Sequence, residues 1–315
     1  AMLDNRRSPF TTIVIDEAGL IPRATVAALS LLASRRVVLA GDSKQLAPIS
    51  RMLRVLSTRQ HMWLATSGLG HLDELDVVPP SVHVLFEQHR MQAEIGRVVS
   101  RYQYGGRLRT AESVGVRTAT LPSLFRGGPR AIWQVLDEES SDLATIRAER
   151  GPGNRSWTRA VTLDVLERLF SDAEVRAAKG LFLTPFSGQA KLVAAWLTKL
   201  GVQTWQASTV HSQQGAEAEV VILDTVNAGS HGWPYDEWKR LINVGMSRAR
   251  EAFVLMASRS EMEEPYLRPL VDELAPRVLR VVSGGALAWV ETIGLSRTAS
   301  GGGGSAPPPS GSSLG

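Results

Sequence analysis

Two stretches decide the fold: Thr12-Ile13-Val14-Ile15-Asp16-Glu17-Ala18, and Val37-Val38-Leu39-Ala40-Gly41-Asp42-Ser43-Lys44-Gln45-Leu46-Ala47-Pro48. Each is a short apolar run that stops at an acidic residue, which reads as a buried strand running into a turn. A strand ending in Asp16-Glu17 delivers two carboxylates to the carboxyl edge of a parallel sheet, where ligands of such sheets bind. In a nucleotide hydrolase an Asp at this place holds Mg²⁺ through water, and a Glu orients or deprotonates the attacking water. A helix that begins with acidic residues to complement its dipole would explain the same pair. The second stretch favours the hydrolase pattern. Gly41-Asp42 closes a neighbouring strand, and Gln45 sets an uncharged hydrogen-bonding side chain where it can sense a γ-phosphate.

Outward from these blocks, β-rich runs alternate with amphipathic stretches, the pattern of a parallel α/β sheet flanked by helices. Strands are expected at Thr11–Ile15, Arg36–Ala40, Val82–Phe86, Ala131–Val135, Leu181–Thr184, Val202–Ala207, Val220–Asp224 and Phe253–Ala257. Helices are expected at Ala93–Tyr104, Trp157–Phe170, Gly188–Leu200, Asp236–Arg250 and Met262–Leu274. In the third of these, Leu192, Val193, Trp196, Leu197 and Leu200 follow the spacing of one buried helix face. Pro79-Pro80 interrupts helix and ladder alike, so a boundary is expected near Val77–Pro80. Gly127-Gly128-Pro129 and Gly151-Pro152-Gly153 mark irregular connection, and the uncharged Ser300–Gly315 reads as a flexible tail.

Composition narrows the function classes. Of the 315 residues 43% are hydrophobic and 21% charged, which supports a sizeable core. The absence of cysteine excludes disulfides, zinc–thiolate sites, iron–sulfur clusters and cysteine nucleophiles. With no long apolar run, no membrane partner is expected and the expected compartment is the cytoplasm. The 35 basic residues include only five lysines. Arginine's planar fork suits phosphate, although codon bias gives the same ratio.

Taken with the two opening stretches, four later blocks resemble the ordered motifs of superfamily 1 helicases of the Upf1-like branch. Gln88-His89-Arg90-Met91 with Glu94-Ile95 is similar to Q-Y-R-M-x-x-x-I, and Thr184-Pro185-Phe186 with Gln189 to T-P-Y-x-x-Q. Thr209-Val210-His211-Ser212-Gln213-Gln214-Gly215-Ala216-Glu217 resembles motif V, and Asn243-Val244-Gly245-Met246-Ser247-Arg248-Ala249-Arg250 resembles N-V-A-x-T-R-A-R. The resemblance implies RecA-like P-loop NTPase architecture: residues 1–80 as the C-terminal half of a first domain, 81–280 as a complete second one, and 281–299 as an extension.

It also implies roles. ATP with Mg²⁺ would meet Asp16 and Glu17, with Gln45 sensing the γ-phosphate and Arg90 and Arg248 reaching it. Gly41, Asp42, Gln88, Gly215, Glu217 and Arg250 would line the nucleotide, Glu217 through a ribose hydroxyl. Thr184, Pro185, Phe186, Ser208, Thr209 and His211 would meet single-stranded nucleic acid through sequence-independent contacts. Phe186 fits packing beneath the next helix as well as stacking on a base. His211 fits a packed histidine as well as a ligand contact, and Arg250 fits a solvated face. Gly19 departs from the polar residue usual after Asp-Glu-Ala, which would remove a contact near the metal. Gly245-Met246-Ser247 departs from Ala-x-Thr, and the usual His-Pro is missing after Met91.

None of the lysines (Lys44, Lys179, Lys191, Lys199, Lys239) follows a glycine, so G-x-x-x-x-G-K-[ST], whose amides cradle phosphates, does not occur in the sequence. In the family that loop precedes the Asp-Glu motif. The expectation is therefore the C-terminal part of an ATP-dependent helicase, 5′ to 3′ on single-stranded DNA or RNA by resemblance, cut inside its first domain. Hydrolysis would need a segment or chain carrying that loop. The alternative is a non-catalytic nucleic-acid-binding or scaffolding subunit, against which the intact Asp16, Glu17, Gln45, Arg90 and Arg248 speak.

Overall fold

A computed structural model describes residues 8–48, 56–74, 77, 79–115, 121–122, 125–136, 149–150, 156–213, 215–226, 234–258, 261–274, 277–281 and 287–291. The expectations for Gly151–Gly153, Gln214 and the tail at 300–315 lie outside these residues. In chain order the elements are β1 Phe10–Ile15, α1 Arg23–Ser30, β2 Ala33–Leu39, α2 Thr58–Leu64, β3 Glu87–Gln88, α3 Ala93–Gln103, β4 Arg109–Thr110, α4 Glu112–Gly115, β5 Ala131–Leu136, β6 Glu149–Arg150 and β7 Trp157–Thr158. Then come α5 Val161–Leu169, α6 Ala173–Ala177, β8 Gly180–Thr184, α7 Ser187–Lys199, β9 Trp205–Thr209, β10 Ala218–Asp224, α8 Tyr235–Ser247, β11 Ala249–Ser258, α9 Arg268–Val271, β12 Arg277–Val281 and β13 Leu287–Glu291.

The larger sheet is parallel throughout, in the order β5-β11-β10-β8-β9. Its central strand explains why: in Ala218–Asp224 nearly every residue is buried, as a strand covered on both faces requires. Alternate residues go to opposite layers. Val221 and Leu223 join Ile95 and Val98 of α3 and Leu241 and Ile242 of α8 in one core. Val220 and Ile222 join Val165 and Leu166 of α5 and Val193 and Leu197 of α7 in the other. Each such side chain, fully buried, contributes about 1.5–3 kcal/mol. This is an α/β sandwich, a parallel five-stranded sheet with helices on both faces. A separate parallel pair, β1-β2, carries a small core of Ile15, Ala18, Val26 and Leu69.

Several expected elements differ. Val82–Phe86 joins no sheet, since among the described residues no strand pairs with it; Leu85 is 88% exposed, and pairing starts at β3, with β4. Trp157-Thr158 does not start a helix but pairs antiparallel with β6, so α5 begins at Val161. The stretch Met262–Leu274 is interrupted by Pro265 and Pro269 into a 3₁₀ turn at Glu261–Glu263 and the short α9. α8 stops at Ser247, since the β11 ladder already begins at Ala249.

Candidate nucleotide site

The site grows from the ends of β1 and β2. Asp16 and Glu17 stand exposed directly after β1, and Glu17 has φ +51°, a conformation seldom adopted by residues with side chains. Its N–H donates to Asp16 Oδ1 at 2.9 Å. The chain then returns tightly against the end of β2, with the Ala18 N–H donating to Ala40 O at 2.8 Å. Glycine is required twice here. A Cβ on Gly19 would stand 2.5 Å from Asp42 O, and one on Gly41, at φ +153°, would stand 2.9 Å from Ala18 N. Gly19, read from the sequence as a lost polar contact, thus has a packing cause.

Asp42 organises the next turn. Its Oδ1 accepts from the Lys44 N–H at 2.8 Å, and its Oδ2 accepts from Gln45 Nε2 at 3.3 Å and from the Tyr104 hydroxyl at 2.6 Å. Gln45 Oε1 is thereby left to accept from Arg248 Nη2 at 3.3 Å.

Arg248, at the C-terminal end of α8, is only 3% exposed. Its Nη1 donates to Ala216 O at 3.4 Å, and its buried Nε–H has no acceptor among the described residues. Burial first, then the neighbouring Arg90, hold its pKa below the ordinary arginine value against the opposing pull of Glu17, Tyr104 and Glu217. Arg90 donates from Nε to Glu217 Oε2 at 3.0 Å and from Nη1 to Ser247 O at 3.1 Å, and Arg250 Nη1 donates to Glu217 Oε1 at 3.4 Å. Gly215, at φ +81°, turns the chain into Glu217. Both ends of the Gln88 amide are engaged by protein: Oε1 accepts from the Arg90 and Met91 N–H groups, and Nε2 donates to Met91 O and Thr110 Oγ1. Gln88 therefore holds the turn that carries Arg90.

The expected nucleic-acid contacts divide. Thr184 is fully buried, with Oγ1 accepting from the Phe186 N–H, and Phe186 is packed into the core, so neither presents a face to a strand. Pro185, Ser208, Thr209 and His211 are partly exposed at the ends of β8 and β9. Ser208 and Thr209 hydroxyls lie 2.7 and 2.9 Å from Ser212 Oγ. Burial lowers the His211 pKa.

A second polar cluster was not visible in the sequence. Arg159 is fully buried between Asp224 and Glu261, with Nη1 donating to Glu261 Oε2 at 2.8 Å and Nη2 donating to Asp224 Oδ1. Burial opposes its charge, and the two carboxylates more than restore it, leaving its pKa above the ordinary arginine value. Gln189, from the T-P-Y-x-x-Q-like block, accepts from the Arg159 N–H at 2.8 Å and donates to Asp224 Oδ2 at 3.0 Å.

Among known proteins, residues 64–260 match a family described as an AAA domain. The DNA replication ATP-dependent helicase/nuclease DNA2 of Mus musculus is 24% identical over 293 residues, covering 85% of this chain and 27% of that protein. The DNA-binding protein SMUBP-2 of Rattus norvegicus is 29% identical, covering 84% and 26%. The ATP-dependent helicase upf1 of Schizosaccharomyces pombe is 22% identical, covering 79% and 27%. The chain spans about a quarter of the length of these relatives. With more than half of its residues matched and its motif blocks in order, the chain belongs to the AAA-domain family, among the Upf1-like superfamily 1 helicases.

Proposed function

We propose that this chain is the C-terminal part of an ATP-dependent helicase that translocates 5′ to 3′ along single-stranded nucleic acid, and that it hydrolyses ATP only with a segment carrying G-x-x-x-x-G-K-[ST]. The observation that carries the reading is Arg248: a buried guanidinium beside Arg90, whose Nε–H has no acceptor among the described residues. Such a group favours an incoming anion, and a γ-phosphate supplies one with the charge that builds up in phosphoryl transfer. Glu17, which pulls the Arg248 pKa upward, is the group that orients water in this reading. Bound Mg²⁺ would neutralise phosphate charge, held by Asp16 through water. Among the described residues there is no group of three or more His, Asp or Glu that could hold a metal ion. Glu217, now shared by Arg90 and Arg250, is the group for the ribose hydroxyl.

Strand binding is assigned to Pro185, Ser208, Thr209 and His211, whose hydroxyls and imidazole suit phosphate contacts without base readout. A partner segment is supported by the β1-β2 pair, on which Phe10 and Val14 are 54% and 65% exposed and Val37 and Val38 are also uncovered. Parallel strands are ordinarily covered on both faces. Among the described residues, no helix is long and apolar enough to cross a membrane.

The experiment is strand-stimulated ATP hydrolysis by this chain, alone and joined to a segment carrying the phosphate loop. Turnover is expected only in the joined form and is lost in Glu17→Gln and Arg248→Ala. Turnover by the chain alone that Glu17→Gln abolishes would refute the requirement for the loop. Inactivity of the joined form, despite tight nucleotide binding, would refute the hydrolase reading.

A further inference from the structure

The loop after β2 is fastened to the larger body by groups with no part in the nucleotide chemistry. Tyr104, just past the end of α3, donates to Asp42 Oδ2 at 2.6 Å. Its hydroxyl oxygen accepts from Asn243 Nδ2 of α8 at 3.0 Å, and the same Nδ2 donates to Lys44 O at 3.1 Å. Gln103 Nε2 donates to Lys44 O at 3.0 Å. Asn243 Oδ1 and Gln103 Oε1 are buried and, among the described residues, accept no hydrogen bond, a cost that their donor contacts to the loop offset. Below the clamp, Leu46 is 2% exposed within the core formed by α3 and α8.

The bonds form a directed chain. An ionised carboxylate only accepts, so Asp42 Oδ2 receives both Tyr104 and Gln45 Nε2. Once Nε2 is committed, the other end of that amide must present an oxygen, and this oxygen meets Arg248. Asn243 and Arg248 belong to the same end of α8, so the chain returns to the helix where it began.

We propose that Tyr104 is a positioning residue: by fixing Asp42 it orients the Gln45 amide toward Arg248 and, with Asn243 and Gln103, clamps the β2 loop to α3 and α8. This rests on the functional reading above for what Gln45 and Arg248 do, while the clamp itself is independent of it. Burial, followed by the charge of Asp42, pushes the Tyr104 hydroxyl well above the ordinary tyrosine range, so it remains a donor at all working pH values.

The test uses the whole chain. Tyr104→Phe removes one oxygen and keeps the ring. Amide hydrogen exchange at Lys44 and Gln45, both bonded to Asp42, is expected to quicken about tenfold or more, while amides of β10 and β11 keep their rates. In the same variant the Arg248 Nε–H and Gln45 side-chain amide resonances are expected to shift. Asp42→Asn, which leaves a single acceptor oxygen for the Tyr104 hydroxyl, the Gln45 amide and the Lys44 N–H together, should reproduce these changes and add little when combined with Tyr104→Phe. It carries the test if the Phe variant fails to fold. Faster exchange spread evenly over the sheet would mean ordinary destabilisation and overturn the proposal, as would unchanged exchange and resonances at the loop. No nucleotide enters these measurements, so they stand or fall apart from the hydrolysis experiment.

Discussion

Replacing Arg159 with Met should be among the most damaging single changes in the larger sheet. The guanidinium lies between two carboxylates, and all three side chains are fully buried. Asp224 also accepts from Thr162 Oγ1 at 2.6 Å and the Val226 N–H at 3.1 Å, and Glu261 accepts from Thr225 Oγ1 at 2.7 Å. These neutral donors remain in the variant, but the Arg159 charge that faces both carboxylates is gone. Breaking a buried ion pair by removing one partner costs about 3–5 kcal/mol, against a total stability of about 5–15 kcal/mol. For a body of this size, at about 2–4 °C per kcal/mol, the melting midpoint falls by about 6–20 °C. Circular dichroism melts and urea titrations read this directly. Converting Asp224 to Asn and Glu261 to Gln in the same chain removes the stranded charges, so the triple variant should recover at least half of the loss. An Arg159→Met variant that melts within about 2 °C of the parent, corresponding to under 1 kcal/mol, would refute the claim that charge burial governs this cluster.

Gly19→Ala should destabilise by about 1–3 kcal/mol, because the added Cβ meets the Asp42 carbonyl at 2.5 Å and backbone must shift to admit it; an unchanged urea midpoint would contradict this. His211 gives a pH signature. Burial lowers its folded pKa from 6.5, so the unfolded chain binds more protons in the window between the two values. Its stabilising contribution is complete above about pH 6.5 and is lost as pH falls toward the folded value. His211→Gln should flatten that part of the stability profile, as measured by urea titration from pH 7.5 down to about 5. Glu237, raised from 4.5 by burial, acts with the opposite sign, so its stabilising contribution shrinks as pH rises above that value.

What the sequence made legible follows from how far each feature reaches along the chain. β8, β10 and β11 are continuous apolar runs whose burial on both faces is written in consecutive residues, and α7 and α3 carry their buried faces within a few turns. The carboxylates after β1 and the turn after β2 were legible because each directly follows a short apolar run, although both strands are largely exposed and not buried as that run suggested. Trp157-Thr158 was not, because its pairing depends on Glu149-Arg150 and its apolar ring suits a helix equally well. The Arg159 cluster joins residues 65 and 102 positions apart, and the Tyr104 contacts to Asp42 and Asn243 span 62 and 139. No periodicity records such pairings. Asn243 offered a hint, as the first residue of a recognisable block, whereas Tyr104 offered none.

The two clusters differ in what their geometry allows. The Arg159 network is enclosed, with each carboxylate against the guanidinium in full burial and the Arg159 Nε–H without an acceptor among the described residues, and so it holds the ends of β10 and β11 together. The Asp42 chain ends on a guanidinium with an unspent N–H, beside exposed carboxylates. A polar chain that stops one bond short, in a place already crowded with positive charge, leaves room for a further acceptor. Access to exposed groups, and not the unspent N–H that both arginines have, separates the cluster proposed to bind from the one that is sealed in the core.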